Sequence, residues 1–224
     1  MKTLLKAALI LPLLIIAVHV HTKKVINEGK ITYSTSYDIP ASQWKNDGSL
    51  PTEIVIYFRG DSTAAIVKQG IATIKGVSVL KTNYHSMIID VPDFNKKLFV
   101  LLTSEEVQKE KSFIPQFTAQ NDTSTQIING YHCFKINLTD NATGYNYELW
   151  VTKDISIVPN SVSRPVSLFG GVPIRFVTFN QGIKIYTELK LIEEISVPKG
   201  FFSASKEYSS ISYEELKKIS LSEK

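Results

Sequence analysis

Cys133 is the only cysteine in the 224-residue chain, and His132, one of four histidines, directly precedes it. A thiol beside an imidazole could serve a nucleophilic enzyme or a metal centre. The first needs a base and an orienting group within hydrogen-bond reach of the sulfur. The second, for zinc, needs three or four Cys, His or acidic ligands. The pair lies in GYHCFKINLTDNATGYNYELWVTKDI, Gly130 to Ile155, which reads as a β-hairpin turning through TDNAT and Gly144. Adjacent strand residues point to opposite faces, so His132 and Cys133 cannot act together on one atom. His85 could approach Cys133 only through tertiary folding, and no H-x-x-x-H or C-x-x-C spacing occurs. These residues predict no catalytic group, no metal site and no cofactor.

Other candidate chemistry is equally sparse. FGGVP, Phe169 to Pro173, lacks the Lys-Ser/Thr ending and the helix of a phosphate loop, and reads as a turn. Glu193 and Glu194 are strand neighbours and face apart. Glu193 interrupts an apolar face, so it must be either solvated near the strand end or in a polar contact. Asn121, Asn137 and Asn141 match glycosylation acceptors but read as turn residues in an Asn- and Thr-rich chain.

The hairpin can be paired on paper. Lys135 opposite Glu148 places Phe134 against Leu149, Ile136 against Tyr147 and Leu138 against Tyr145. The other face then joins Cys133 to Trp150 and Tyr131 to Thr152. A one-residue slip would break both faces, which favours this register. Cys133 becomes a small packing residue beside Trp150.

A period of two dominates the elements that must hold these residues. In EIVIYFRG, Ile54, Ile56 and Phe58 share one face, while Glu53, Tyr57 and Arg59 share the other. YHSMIIDV and KLFVLL read as further strands. In GIKIYTELKLIEEISV, Ile183, Ile185, Leu189, Leu191 and Ile195 point one way, and Lys184, Tyr186, Glu188, Lys190 and Glu194 the other. Such alternation fits antiparallel strands with one covered and one wet face. TSEEVQKEK and SYEELKKI each open on a capping box, Thr103 with Glu106 and Ser212 with Glu215. Both helices are too short to stand alone and should pack on the sheet through Val107, Leu216 and Ile219. VPNSVSRPVSLFGGVP reads as a long loop.

At the N-terminus, Lys2 and Lys6 precede an apolar run from Ala7 to Val18, followed by polar residues to Lys24. The run is shorter than the ~20 residues a membrane-spanning helix needs, and the order is that of an export signal. Residues 1–22 are expected to be a signal peptide, cleaved after Ala17 or near Thr22, and 23–224 a single β domain. The expected location is periplasmic or otherwise exported, with no transmembrane segment in the mature chain. Removing Lys2 and Lys6 takes the formal charge of +4 to about +2, with no basic run that would fit nucleic acid. One cysteine cannot form an internal disulfide, so stability must come from the core.

INGYHCFK, then ELWVTKDI, then FGGVPIRFVTF resemble, in that order, the motifs of a Bacteroidetes envelope family named for its GLPGLI loop. They also resemble an uncharacterised-domain family related to it. The ending EEISVPKGFFSASKEYSSISYEEL is similar to that second family's close, and the early strands ITYSTSYD and IVIYFRGD fit as well. Val172-Pro173-Ile174-Arg175 stands where the named loop carries Leu-Pro-Gly-Leu. These families are similar to LolA-like carriers of lipoproteins. The resemblance implies a strongly curved antiparallel sheet, an incomplete barrel, with short helices on its concave side.

The expected function is therefore non-enzymatic binding of a lipid or lipidated chain in the concavity. Ile54, Ile56, Phe58, Phe134, Ile136, Leu138, Leu189 and Leu191 are the expected lining. The plain rival is that these residues simply close a core. Two other readings stand beside it: a structural or protein-interaction component contacting partners through Trp44, Tyr57 and Trp150, and an uncharacterised hydrolase.

Overall fold

The protein is described from a computed structural model covering residues 24–39, 50–157, 170–180 and 183–222. The expected signal peptide, Trp44 and most of the long loop before Gly170 lie outside these residues.

The fold is mainly β, as the period of two predicts, and the large sheet is open rather than closed into a barrel. Its first half is a meander of β2 (Glu28–Tyr37), β3 (Glu53–Arg59), β4 (Ser62–Gln69), β5 (Ala72–Val79), β6 (Tyr84–Val91) and β7 (Lys96–Leu101). Its second half contains β8 (Phe117–Ile128), β9 (Tyr131–Asp140), β10 (Asn146–Thr152), β12 (Val172–Asn180) and β13 (Ile183–Glu193). The halves join where β13 pairs antiparallel with β2. Two parallel pairs complete the picture. β14 (Ser209–Ser210) adds to β7 at one margin, and β1 (Lys24–Ile26) pairs with β11 (Ile155–Ile157) in a separate small sheet. The strands from β14 through β7 to β3 are followed by β2, β13, β12, β10, β9 and β8.

Tight turns set much of this order. Asn129 and Gly130 both have positive φ, 50° and 82°, between β8 and β9. That is the two-residue hairpin turn whose handedness matches strand twist.

Curvature follows from the core. Ile31, Tyr33, Ile56 and Phe58 of the first half pack with Ile136, Leu138, Leu149, Ile174, Phe176 and Leu189 of the second. Cross-strand pairing puts Ile31 with Ile56, Tyr33 with Ile54 and with Leu189, and Leu149 with Ile136. The sheet therefore folds one face inward on itself. Burying each such side chain contributes about 1.5–3 kcal/mol, which suits a chain without a disulfide.

The outer face of the first half has its own smaller core. Ala64, Val77 and Ile88 are covered by Phe201, Phe202, Ala204 and Tyr208 from the segment after β13. Arg59 donates to the Val197 carbonyl at 2.7 Å and Lys75 to that of Phe201 at 3.1 Å. These bonds hold the segment down.

The two helices are α1 (Ser104–Ser112) and α2 (Tyr213–Ser222). The expected box at Thr103 forms: the Glu106 N–H donates to Thr103 Oγ1 at 3.2 Å, and the Thr103 N–H donates to Glu106 Oε2 at 2.7 Å. Ser212 and Glu215 repeat it at 3.2 and 2.7 Å. Val107 is buried, and Leu216 and Ile219 are half-buried, so the expected helix faces are the packed ones.

Asn121 and Asn137, read as turn residues, lie inside β8 and β9, and only Asn141 is in a turn. Two further expectations need correction. The hairpin register is displaced by two residues: Lys135 is opposite Trp150, Ile136 opposite Leu149, Leu138 opposite Tyr147, and Cys133 opposite Thr152. The cause lies in the turn. The Asp140 carboxylate accepts from the Ala142 N–H at 2.9 Å and the Thr143 hydroxyl at 2.7 Å, so β9 runs on to Asp140 before the chain reverses. A shift of two keeps every residue on its expected face.

The second correction concerns β13. A bulge lies between Leu189 and Leu191: Leu189 pairs with Tyr33, and Leu191 pairs with the very next residue, Thr32. The extra residue reverses the alternation. Leu189 is 1% exposed, whereas Leu191 is 51% exposed, and Ile192 takes the inward place.

Candidate functional site

The inner face changes character from β3 to β6. One cross-sheet row reads Ile56, Ala65, Gly76, Met87, and the next reads Phe58, Thr63, Ser78, His85. In both rows bulk falls away at β4 and β5. A Cβ built on Gly76 meets no atom within 4 Å, and no positive φ demands glycine there. Gly in a strand interior costs about 0.5–1 kcal/mol relative to Ala, and here it leaves space.

Helix α1 roofs that space. Val107, Phe113 and Ile114 face Ile56, Ala65 and Gly76 across a cavity of about 420 Å³, with Phe179 of β12 at its side. This lies within the usual size of small-molecule sites, about 300–1,000 Å³. The roof is held by the burial of Val107, by the Asn83 amide donating to Ser104 Oγ at 3.2 Å and by the Tyr213 hydroxyl of α2 donating to the Glu110 carboxylate.

The eight expected lining residues divide into three groups. Ile56 reaches the cavity. Phe58, Ile136, Leu138 and Leu189 are buried, with half-buried Ile54 against them, in the closed core beside it. Leu191 is turned out by the bulge. Phe134 keeps the face of Ile136 but lies past the core, 40% exposed, with the Lys153 ammonium 5.5 Å above its ring. The residues that make the hollow, Ala65 and Gly76 with Thr63 and Ser78, were not anticipated. Small side chains leave no periodic signal.

The Cys–His pair separates as strand alternation requires. Cys133 is fully buried and its thiol is directed to the Tyr131 carbonyl at 3.4 Å. Burial pushes its pKa up to about 11. His132 is exposed, and its Nδ1 lies 3.3 Å from the Asp154 carboxylate. Among the described residues no cluster of three or more His, Cys, Asp or Glu could hold a metal. No described helix is long and apolar enough to cross a membrane. Glu193 ends β13 and is partly exposed there, its carboxylate paired with Lys30 at 2.5 Å, and the bulge that turns Ile192 inward keeps it off the apolar face.

Two of the surface aromatics expected to meet partners are covered. Tyr57 packs on Phe201 with ring centroids 4.5 Å apart, and Trp150 is 7% exposed with its indole N–H on Glu148.

A second hollow, about 500 Å³, opens where β10 and β12 part company. Beyond the Trp150–Arg175 pair the two strands share no register. Its charged side chains are already matched: Arg175 with Glu188 at 2.7 Å, Glu148 with Lys135 at 2.7 Å, and Lys184 with Asp38 at 3.0 Å. Internal matching leaves little to select a ligand, so the cavity under α1, whose lining joins Ile56, Val107, Phe113 and Ile114 to polar Thr63, Ser78, His85 and Ser86, is the stronger site.

No known family's sequence profile matches the chain, and no curated protein matches it. Among solved structures, PNGF-II in a P21 and in a C2 crystal form is similar at 14% identity, over 86% of this chain, with TM-scores of 0.49 and 0.48. This chain spans about a third of the length of those chains, 33% and 32%. Likeness of this degree carries no argument about what the chain does.

Proposed function

We propose that the protein is a non-enzymatic binding module of the cell envelope that holds a slender apolar group, such as an acyl chain, between α1 and the inner face of β3–β6. The observation that supports this most is Gly76. A residue that weakens its strand, is not required by backbone conformation and opens on empty space is hard to explain by packing. The apolar roof of Val107, Phe113 and Ile114 suits a hydrocarbon guest. The envelope location rests on the export-like N-terminal segment, and the lipidic guest accords with the resemblance to LolA-like carriers.

The test is a titration of the delipidated protein with a polarity-sensitive fluorescent fatty acid. Saturable one-to-one binding is expected, and Gly76→Phe, which plugs the hollow from below, should abolish it while leaving the far-UV circular dichroism unchanged. Absence of saturable binding by the wild-type protein would remove the proposal. Gly76→Leu provides a smaller plug and should weaken binding without preventing folding.

A further inference from the structure

The cavity under α1 has a mouth, and its position bears on the ligand. Phe113 lines the cavity and is also 51% exposed, so the opening lies at the C-terminal end of α1. Lys111 lines the same end and is half-buried. Among the described residues no carboxylate lies within ion-pair distance of it. The neighbouring charged lining residue, Glu110, is engaged: its carboxylate takes the Tyr213 hydroxyl. Burial and that bond raise the Tyr213 pKa, which keeps the phenol a donor. The helix as a whole carries Glu105 and Glu106 in its first turn and Lys109 and Lys111 in its last, so its cationic end is the mouth end.

Resting on the reading of this cavity as a ligand site, we infer that the ligand is a single-chain amphiphile with an anionic head, a long-chain carboxylate, whose head is held at Lys111. The tail enters because apolar area leaves water. The head stays at the rim because a carboxylate taken inside without a partner is costly. At the rim it meets an ammonium on a flexible four-carbon stem, and the resulting hydrogen bond is charge-assisted. A neutral hydroxyl head can still accept from the ammonium but lacks the attraction between opposite charges, and a cationic head is repelled.

Three probes of equal chain length test this on the full chain: tetradecanoate, tetradecanol and tetradecyltrimethylammonium. Tetradecanoate should bind about tenfold more tightly than the alcohol, the scale of one hydrogen bond to a charged group. The ammonium compound should bind most weakly. In Lys111→Gln the preference for tetradecanoate over tetradecanol should fall to within about twofold, whatever the absolute affinities become. Raising the salt concentration should narrow the wild-type preference, because the pair is at a rim and is screened. Equal binding of acid and alcohol by the wild type, or a preference that survives in Lys111→Gln, overturns the assignment of the head while leaving the cavity a site for apolar chains. Failure of all three probes to bind overturns both. Gly76→Phe should remove all binding, and any binding that survives it lies elsewhere and counts against the inference.

Discussion

Lys135 stands across from Trp150 in the β9–β10 ladder, yet its ammonium reaches the Glu148 carboxylate, two residues along, at 2.7 Å. It also lies 3.9 Å from Asp122 of β8. One cation thus ties three neighbouring strands together on the outer face, and Trp150 donates to the same Glu148.

This cluster predicts acid sensitivity. Hydrogen bonds from the Ser124 side chain and backbone, then from Asn137, hold the Asp122 pKa down at about 2. Glu148 is lowered by its hydrogen bond from Lys135. A carboxyl whose folded pKa is depressed contributes stability that is present above its unfolded value and is lost as pH falls through the folded one. Stability should therefore decline from the ordinary carboxylate range down to about pH 2. Urea melts across that window should show a shallower decline in Asp122→Asn, together with a lower midpoint at pH 7. An unchanged acid limb would refute the assignment.

The bulge in β13 makes two adjacent-looking leucines unequal. Leu189→Ala removes a side chain from the closed core and should cost about 2–5 kcal/mol. Leu191→Ala, on the exposed side, should change stability by no more than about 0.5 kcal/mol. Denaturant midpoints of the two variants settle the matter, and equal losses would mean that the alternation is not reversed.

Gly76 predicts a trade of binding against stability. Gly76→Ala adds a methyl group where nothing lies within 4 Å and restricts the unfolded chain. It should stabilise the protein by about 0.4–1 kcal/mol and weaken the uptake of apolar ligands. A destabilised Gly76→Ala protein would show that the space is needed for folding.

Cys133 should be inert in the folded protein. Its thiol is fully buried and its pKa is raised to about 11, so thiolate is scarce at neutral pH. A thiol-specific chromogenic reagent should modify it only as fast as the protein unfolds. Rapid modification under native conditions would contradict the packing.

What the sequence could reveal depended on how local the cause was. Thr103 with Glu106 and Ser212 with Glu215 are complete within four residues, and both caps form as read. The faces of the hairpin were legible because alternation fixes them. Its register was not, since a shift of two preserves every face and only the Asp140 hydrogen bonds choose between the two. Leu191 was misjudged because a bulge is a property of two paired strands, whereas alternation is read along one. The cavity was hidden most deeply. Ala65 and Gly76 are 11 positions apart in the chain and stand side by side only once β4 pairs with β5. Hydrophobic patterning marks where bulk is present and is silent about where it is missing.

The joining of β2 to β13 also has a consequence in time. Ser34 of β2 pairs with Glu188 of β13. The hairpins from β3 to β7 and from β8 to β10 can close over short loops, but the seam between the halves waits for residues more than 150 positions later. Closure of so long a loop delays folding more than it weakens the folded state. A chain made from its N-terminus therefore carries the open inner edge of β2, and the apolar surface behind it, through most of its synthesis. Until β13 arrives, that edge is the part of the nascent chain most exposed to mispairing.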